Sequence, residues 1–198
     1  MNINHNVGLM NFGNTCFMNS GIQLLMSAKC LGCYMIEHEE FMTTENSKYI
    51  QTYIDYMKPT TTILGPKIIF VKYMKLNTRY LGHTQEDSHE FLTYTLDNIL
   101  ENTKTLNNDT FTKEIRKMFT ISLSQFVHYK KGQDEDSTKV IEENILSLPI
   151  RDGCTTLNDC LELFKKEDND EFTLTFNLVH LPKYIFISLK RFLNDGQR

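Results

Sequence analysis

The chain has 198 residues, with 21 Lys and Arg against 25 Asp and Glu for a formal charge of −4, and its 40% hydrophobic and 23% charged content is ordinary for a globular protein. A chain of this size buries roughly 70% of its unfolded surface, enough for a real core, and its charge balance argues against a nucleic-acid partner or an anionic membrane surface. The opening MNINHNVGLM lacks the basic and apolar regions of a signal peptide, and no apolar run approaches the ~18 residues that span a bilayer. A cytosolic or nuclear location is the expectation, and there the five cysteines read as reduced thiols rather than a disulfide framework.

From Cys16 onward, Met18, Ile22, Leu25 and Met26 fall at the spacing of one helical face, with Asn14 or Thr15 as N-cap. Tyr49, Ile50, Tyr53, Ile54 and Met57 form a second helical stripe ended by Pro59, and Pro66 suits the first turn of a third helix, PKIIFVKYM. TQEDSHEFLTYTLDNIL predicts the clearest helix, with Thr84 and Asp87 as a capping-box variant and Leu92, Leu96, Ile99 and Leu100 as its buried stripe. The period then changes from helical to alternating. FTISLSQF sets Phe119, Ile121 and Leu123 against Thr120, Ser122 and Ser124 as a half-buried strand, and the polar loop KKGQDEDST leads to a second strand, ENILSLPI. TLNDCLELF predicts a helix capped by Thr156 with Asp159, carrying Leu157, Cys160, Leu161 and Phe164 on one face. Strands return in FTLTFNLV and KYIFISLKRF.

One short stretch concentrates the chemistry. GNTCFMNS places Cys16 where a polar turn becomes an amphipathic helix. A thiol in the first turn of a helix lies in the field of the N-terminal peptide dipoles, which favours thiolate, the nucleophilic form. Asn11, on the same turn, carries an amide donor suited to an oxyanion forming on a carbonyl attacked by Cys16. A small packing residue is the competing reading of this cysteine.

GLMNFGNTCFMNSGIQLL, residues 8 to 25, resembles the cysteine box of the ubiquitin-specific proteases, the papain-like deubiquitinases. Three further segments are similar to that family in the same order: QEDSHEFLTYTLDNIL to its Gln-Gln-Asp box, LSLPIRDGCTTLNDCLELF to its strand-and-helix segment, and LPKYIFISLKRF to its strand ending in Lys-Arg-Phe. The resemblance implies an α+β, papain-like thumb, fingers and palm fold, with a helical thumb over residues 1–115 and fingers with a partial palm over 116–198. It implies that Cys16 is the nucleophile, that Asn11 is the oxyanion-hole amide, and that Gln85, Asp87 and Glu90 line the cleft that takes the basic tail of ubiquitin. An acidic cleft suits such a tail, although Asp87 and Glu90 also suit a helix N-terminus on charge alone. The partners implied are ubiquitin and ubiquitinated proteins, and no metal or cofactor is called for; the oligomeric state stays open.

The chain also departs from the family pattern. The family's general-base histidine and its acidic or amide partner follow the Lys-Arg-Phe strand, whereas this sequence stops at Arg198 and none of His5, His38, His83, His89, His128 or His180 matches that position. The final LNDGQR holds Asp195-Gly196, a hairpin signal with no returning strand, so the palm is expected to be incomplete and the chain to be a piece or split form of a longer protease. Many relatives carry two Cys-x-x-Cys pairs in the fingers, and FVHYKKGQDEDST has no cysteine, so metal-free fingers are expected; Cys30, Cys33 and His38 offer only part of a ligand set. A deubiquitinase acting through a Cys16 thioester is the leading expectation. A catalytically inactive or truncated ubiquitin-binding module and a protease for a ubiquitin-like modifier are the rivals.

Overall fold

The computed structural model describes residues 7–38, 44–58, 60–76, 86–104, 109–130 and 135–191. The chain divides into two units, Met1–Ile115 and Arg116–Arg198.

The first unit is built from helices α1 (Cys16–Ser27), α2 (Lys29–Glu37), α3 (Thr44–Met57), α4 (Lys67–Leu76), α5 (Ser88–Lys104) and the first part of α6 (Asp109–Phe119), with a short parallel pair of strands, β1 (Gly8–Leu9) and β2 (Ile63–Leu64). The apolar face expected of α1 is buried, with Phe17 and Gly21 added to Met18, Ile22, Leu25 and Met26. It packs against α5, whose Leu92, Leu96, Ile99 and Leu100 are buried as their spacing requires. Full burial of each such side chain is worth about 1.5–3 kcal/mol. The approach of α1 and α5 is close enough that a Cβ built at Gly21 would lie 2.5 Å from the Phe91 ring. Around that contact Phe17, Tyr73 and Phe91 form tilted and edge-on ring pairs with centroids 5.0 to 6.0 Å apart.

Helix α2 has no counterpart in the sequence reading, because its stretch KCLGCYMIE is short and interrupted by Gly32. Gly32 is what allows it to pack: a Cβ there would fall 2.4 Å from the ring of Tyr53 on α3, and the Tyr53 hydroxyl donates to the Leu25 carbonyl on α1. Pro66 precedes α4 rather than opening it, and its carbonyl accepts the Phe70 N–H at 3.0 Å.

The second unit contains an antiparallel sheet in the order β4-β3-β7-β6, formed by β3 (Ile121–Tyr129), β4 (Ser137–Glu143), β6 (Lys166–Asp168) and β7 (Phe172–His180). A separate parallel pair joins β5 (Ile145–Pro149) to β8 (Phe186–Lys190), and α7 (Leu157–Lys165) follows β5. Ile121, Leu123, Leu146, Leu148 and Cys160 form the buried cluster, with Ile141, Ile150, Cys154, Leu161 and Phe164 packed on it.

Three expectations change here. Phe119 ends α6 instead of starting the strand; its ring stacks on Tyr184 and Phe186 at 5.8 and 5.5 Å, and β3 begins at Ile121. β4 takes the last two residues of the polar loop KKGQDEDST and then residues 139–142, which the sequence reading left unassigned, and it pairs with β3 from Ile121 opposite Glu143 to Val127 opposite Ser137. Its side chains are nearly all exposed, so it lacks the alternation that reveals a half-buried strand. Leu157 is half exposed, because it sits at the first position of α7 and faces away from the cluster that takes Cys160.

Candidate active site

The turn before α1 is held by its own side chains. Asn11 Oδ1 accepts hydrogen bonds from the Gly13 N–H at 2.9 Å, the Thr15 N–H at 3.2 Å and the Thr15 hydroxyl at 2.9 Å. Thr15 Oγ1 in turn accepts the Phe12 N–H at 3.0 Å. Backbone amides only donate, so the oxygen of the Asn11 side chain must face the turn, and its Nδ2 is the donor turned away from it. The chain reverses through Gly13 at φ 93° and Asn14 at φ 49°, a left-handed pair of the residue types that tolerate it.

Thr15 is the residue before the helix, yet it makes no side-chain cap hydrogen bond to α1, because its hydroxyl is committed to the Asn11 turn. Cys16 then opens the helix and is exposed, while its neighbours Thr15, Phe17 and Met18 are buried. The competing reading of Cys16 as a packing residue therefore fails on position. Its carbonyl accepts the Ser20 hydroxyl at 3.0 Å.

The segment that leads into the turn is tied to α1 by two amides that sequence reasoning passed over. Asn19 Nδ2 donates to the Met10 carbonyl at 3.2 Å, and Gln23 Nε2 donates to the Val7 carbonyl at 2.8 Å. Tyr56 steadies Gln23 by donating to its Oε1 at 3.0 Å. Asn19 and Gln23 sit four apart on a helix, a spacing that puts two amides on one face and was the available signal. On its other side the segment is held by β2, through Gly8 N–H to the Thr62 carbonyl at 2.8 Å and Met10 N–H to the Leu64 carbonyl at 3.0 Å.

Of the expected cleft residues, Gln85 and the expected cap Thr84 lie outside the described residues. Asp87 and Glu90 are exposed at the start of α5. Asp87 is itself the cap: its Oδ1 accepts the His89 N–H at 2.7 Å and its carbonyl accepts the Phe91 N–H at 3.1 Å. The helix thus begins later than the Thr84 capping box would place it. An ionised carboxylate retains acceptor capacity on both oxygens after one such bond.

The histidines that the structure describes have local roles. His38 follows α2 and meets Tyr34 and Phe111 at ring-centroid distances of 4.5 and 6.0 Å. His128, at the end of β3, pairs through Nδ1 with Asp136 at 2.9 Å, and this contact with the imidazole, together with the Tyr129 N–H, holds the Asp136 carboxyl below the usual aspartate range. His89 lies in the first turn of α5, and His180 closes β7. His5 and His83 lie outside the described residues. Among the described residues, no three His, Cys, Asp or Glu side chains are grouped as metal ligands, and no helix is long and apolar enough to cross a membrane.

A family model described as ubiquitin carboxyl-terminal hydrolase matches residues 7–197. The chain belongs to the ubiquitin carboxyl-terminal hydrolase family. It is 27% identical to ubiquitin carboxyl-terminal hydrolase 2 of Bos taurus over 241 aligned positions, which cover 93% of this chain and 39% of that protein. Over 46% of its length it is 31% identical to the human inactive ubiquitin carboxyl-terminal hydrolase 17-like protein 8, of which the match covers 17%. The α+β fold is shared with a chain from the SAGA Ubp8/Sgf11/Sus1/Sgf73 DUB module bound to ubiquitin aldehyde, at a TM-score of 0.71 and 24% identity, covering 96% of this chain and 48% of that one. The chain thus spans less than half the length of each of these relatives.

Proposed function

We propose that this family member carries the nucleophile and the oxyanion donor of a thiol-dependent deubiquitinase. The observation that supports this most directly is the pairing of an exposed Cys16 at the first position of α1 with an Asn11 amide braced by Gly13 and Thr15. In the proposed reaction the Cys16 thiolate attacks the carbonyl carbon at the carboxyl end of ubiquitin, a C–S bond forms, and the carbonyl electron pair moves onto oxygen. Asn11 Nδ2–H donates to that oxyanion. Collapse expels the amine of the modified protein with a proton, leaving a thioester that water opens to carboxylate and free thiol. No residue of this chain is assigned the role of moving those protons. Gln85, Asp87 and Glu90 are the proposed contacts for the basic tail of ubiquitin, by charge complementarity.

A second reading, a ubiquitin-binding module without turnover, is favoured by the engagement of His38 with two aromatic rings and of His128 with Asp136. One experiment separates the two. Ubiquitin carrying a thiol-reactive electrophile at its carboxyl terminus should label the chain and fail to label Cys16→Ala. A fluorogenic ubiquitin amide run in parallel reports turnover. Labelling with turnover supports the protease, labelling alone supports a competent nucleophile without its proton shuttle, and ubiquitin binding with no labelling supports the binding module.

A further inference from the structure

We propose that Cys154 and Cys160 form a peroxide-sensitive dithiol, a modification site that closes to an intramolecular disulfide and locks the β5–α7 connection. The two cysteines flank the start of α7, Cys154 two residues before the Thr156 cap and Cys160 at the fourth position of the helix. Cys160 is buried at 6% exposure within the cluster of Ile121, Leu123, Leu146 and Leu148, and Cys154 packs against that same cluster from the loop side. The pair is therefore neither scattered nor shielded equally.

Cys154 is the reachable partner. It is half-buried and lines an open cavity of about 510 Å³ with Arg151, Asp152, Gly153, Asp159 and Glu162. The loop that carries it turns tightly: the Cys154 N–H donates to the Arg151 carbonyl at 3.0 Å, with Gly153 at φ 91° in the third position of the turn. On the other side of Cys154, the Thr155 N–H and hydroxyl donate to Asp159 Oδ2 at 2.9 and 3.2 Å. The helix that carries Cys160 is fixed by a full capping box, in which Thr156 accepts the Asp159 N–H and Asp159 accepts the Thr156 N–H. The turn and the helix start are thus tied together locally, and both thiols lie on the same buried cluster, the proximity a disulfide requires.

The chemistry assigns an order to the two sulfurs. Burial, and then the neighbouring Cys154 thiol, push the Cys160 thiol up, so Cys160 is the poorer first nucleophile. Cys154 thiolate attacks hydrogen peroxide, the O–O bond breaks, and the products are a Cys154 sulfenic acid and water. The Cys160 sulfur then attacks the sulfenic sulfur, the S–O bond breaks, and the hydroxyl leaves as a second water with the thiol proton. Two thiols and one peroxide become one disulfide and two waters. A dithiol reductant reverses the step by exchange.

Both cysteines fall between Arg151 and Lys165, so trypsin releases them on one peptide, DGCTTLNDCLELFK. The full chain would be treated with hydrogen peroxide, alkylated without reduction and digested. The expected result is that this peptide loses two hydrogens and takes no alkyl group, and that dithiothreitol before alkylation restores two alkyl groups. Cys160→Ser should instead accumulate a Cys154 sulfenic acid that dimedone traps, with circular dichroism used to establish that the variant is folded. Either of two results would overturn the proposal: both thiols staying alkylatable after peroxide has oxidised Cys16, or Cys154 passing to the sulfinic acid in the parent chain while Cys160 remains a free thiol.

Discussion

Helices α1 and α7 each begin after a described threonine, and the two threonines are used in opposite ways. Thr156 builds a complete capping box with Asp159 at the start of α7, so side chains satisfy that helix end and the residues there serve stability. Thr15 makes no side-chain cap on α1; its hydroxyl links the Phe12 N–H to Asn11, and the position next to it is the exposed Cys16. The difference shows where side-chain capping is given up: the helix end that presents the proposed nucleophile has its threonine committed to positioning the neighbouring amide. Proteins tend to break such local rules at functional positions and compensate elsewhere, here through Asn19, Gln23 and the β1–β2 pairing.

The sharpest way to break this comparison is Asn11→Asp. Aspartate keeps an oxygen for the Gly13 and Thr15 amides but loses the Nδ2 donor and places negative charge where an oxyanion would form. Turnover of a ubiquitin amide should fall by roughly 10²-fold or more, as loss of an oxyanion-hole donor does, while the melting temperature changes little. A drop in stability that matches the drop in turnover would return Asn11 to a purely structural role.

Gly21→Ala tests how rigidly α1 is held behind Cys16. The new Cβ would meet the Phe91 ring at 2.5 Å, so ring or helix must shift, and overpacking of this kind costs about 1–3 kcal/mol. Urea unfolding of the first unit should show it as a lower midpoint.

At the other helix, Thr156→Ala removes the acceptor for the Asp159 N–H and should destabilise the second unit by about 1 kcal/mol, without altering labelling at Cys16. The smallest effect is a pH dependence. The Asp159 carboxyl lies below the usual aspartate range because it accepts the Thr155 and Thr156 N–H groups. A depressed folded-state value means its stabilisation is whole above the ordinary aspartate range, about pH 4, and disappears as pH falls through the lower folded value. Thermal melts of the parent and Asp159→Asn should therefore differ most near neutrality and converge under acid; a gap that widens as pH falls would reverse the assignment.

Much of the site was legible because its signals are local. The thiol at a turn-to-helix junction, the α5 stripe and the Thr156–Asp159 box each depend on residues within one or two turns of each other, and backbone geometry alone puts them together. The role of Asp87 was legible only in part: its charge suited a helix start, but which residue capped the helix depended on where α5 begins. β4 was invisible because every side chain in it except Ile141 is exposed, leaving no hydrophobic alternation to read.

What the sequence determined by itself is therefore the family motifs, the main helices and the placement of Cys16 at the start of one of them. Tertiary structure decided the rest: that Gly21 and Gly32 are points of close approach, that Phe119 serves a helix and a ring stack, and that β5 pairs in parallel with β8. The physical reason is the same in each case. Those outcomes depend on partners far along the chain, such as Phe91 for Gly21 and Tyr53 for Gly32, and a local periodicity carries no information about which distant side chain will fill the space beside it.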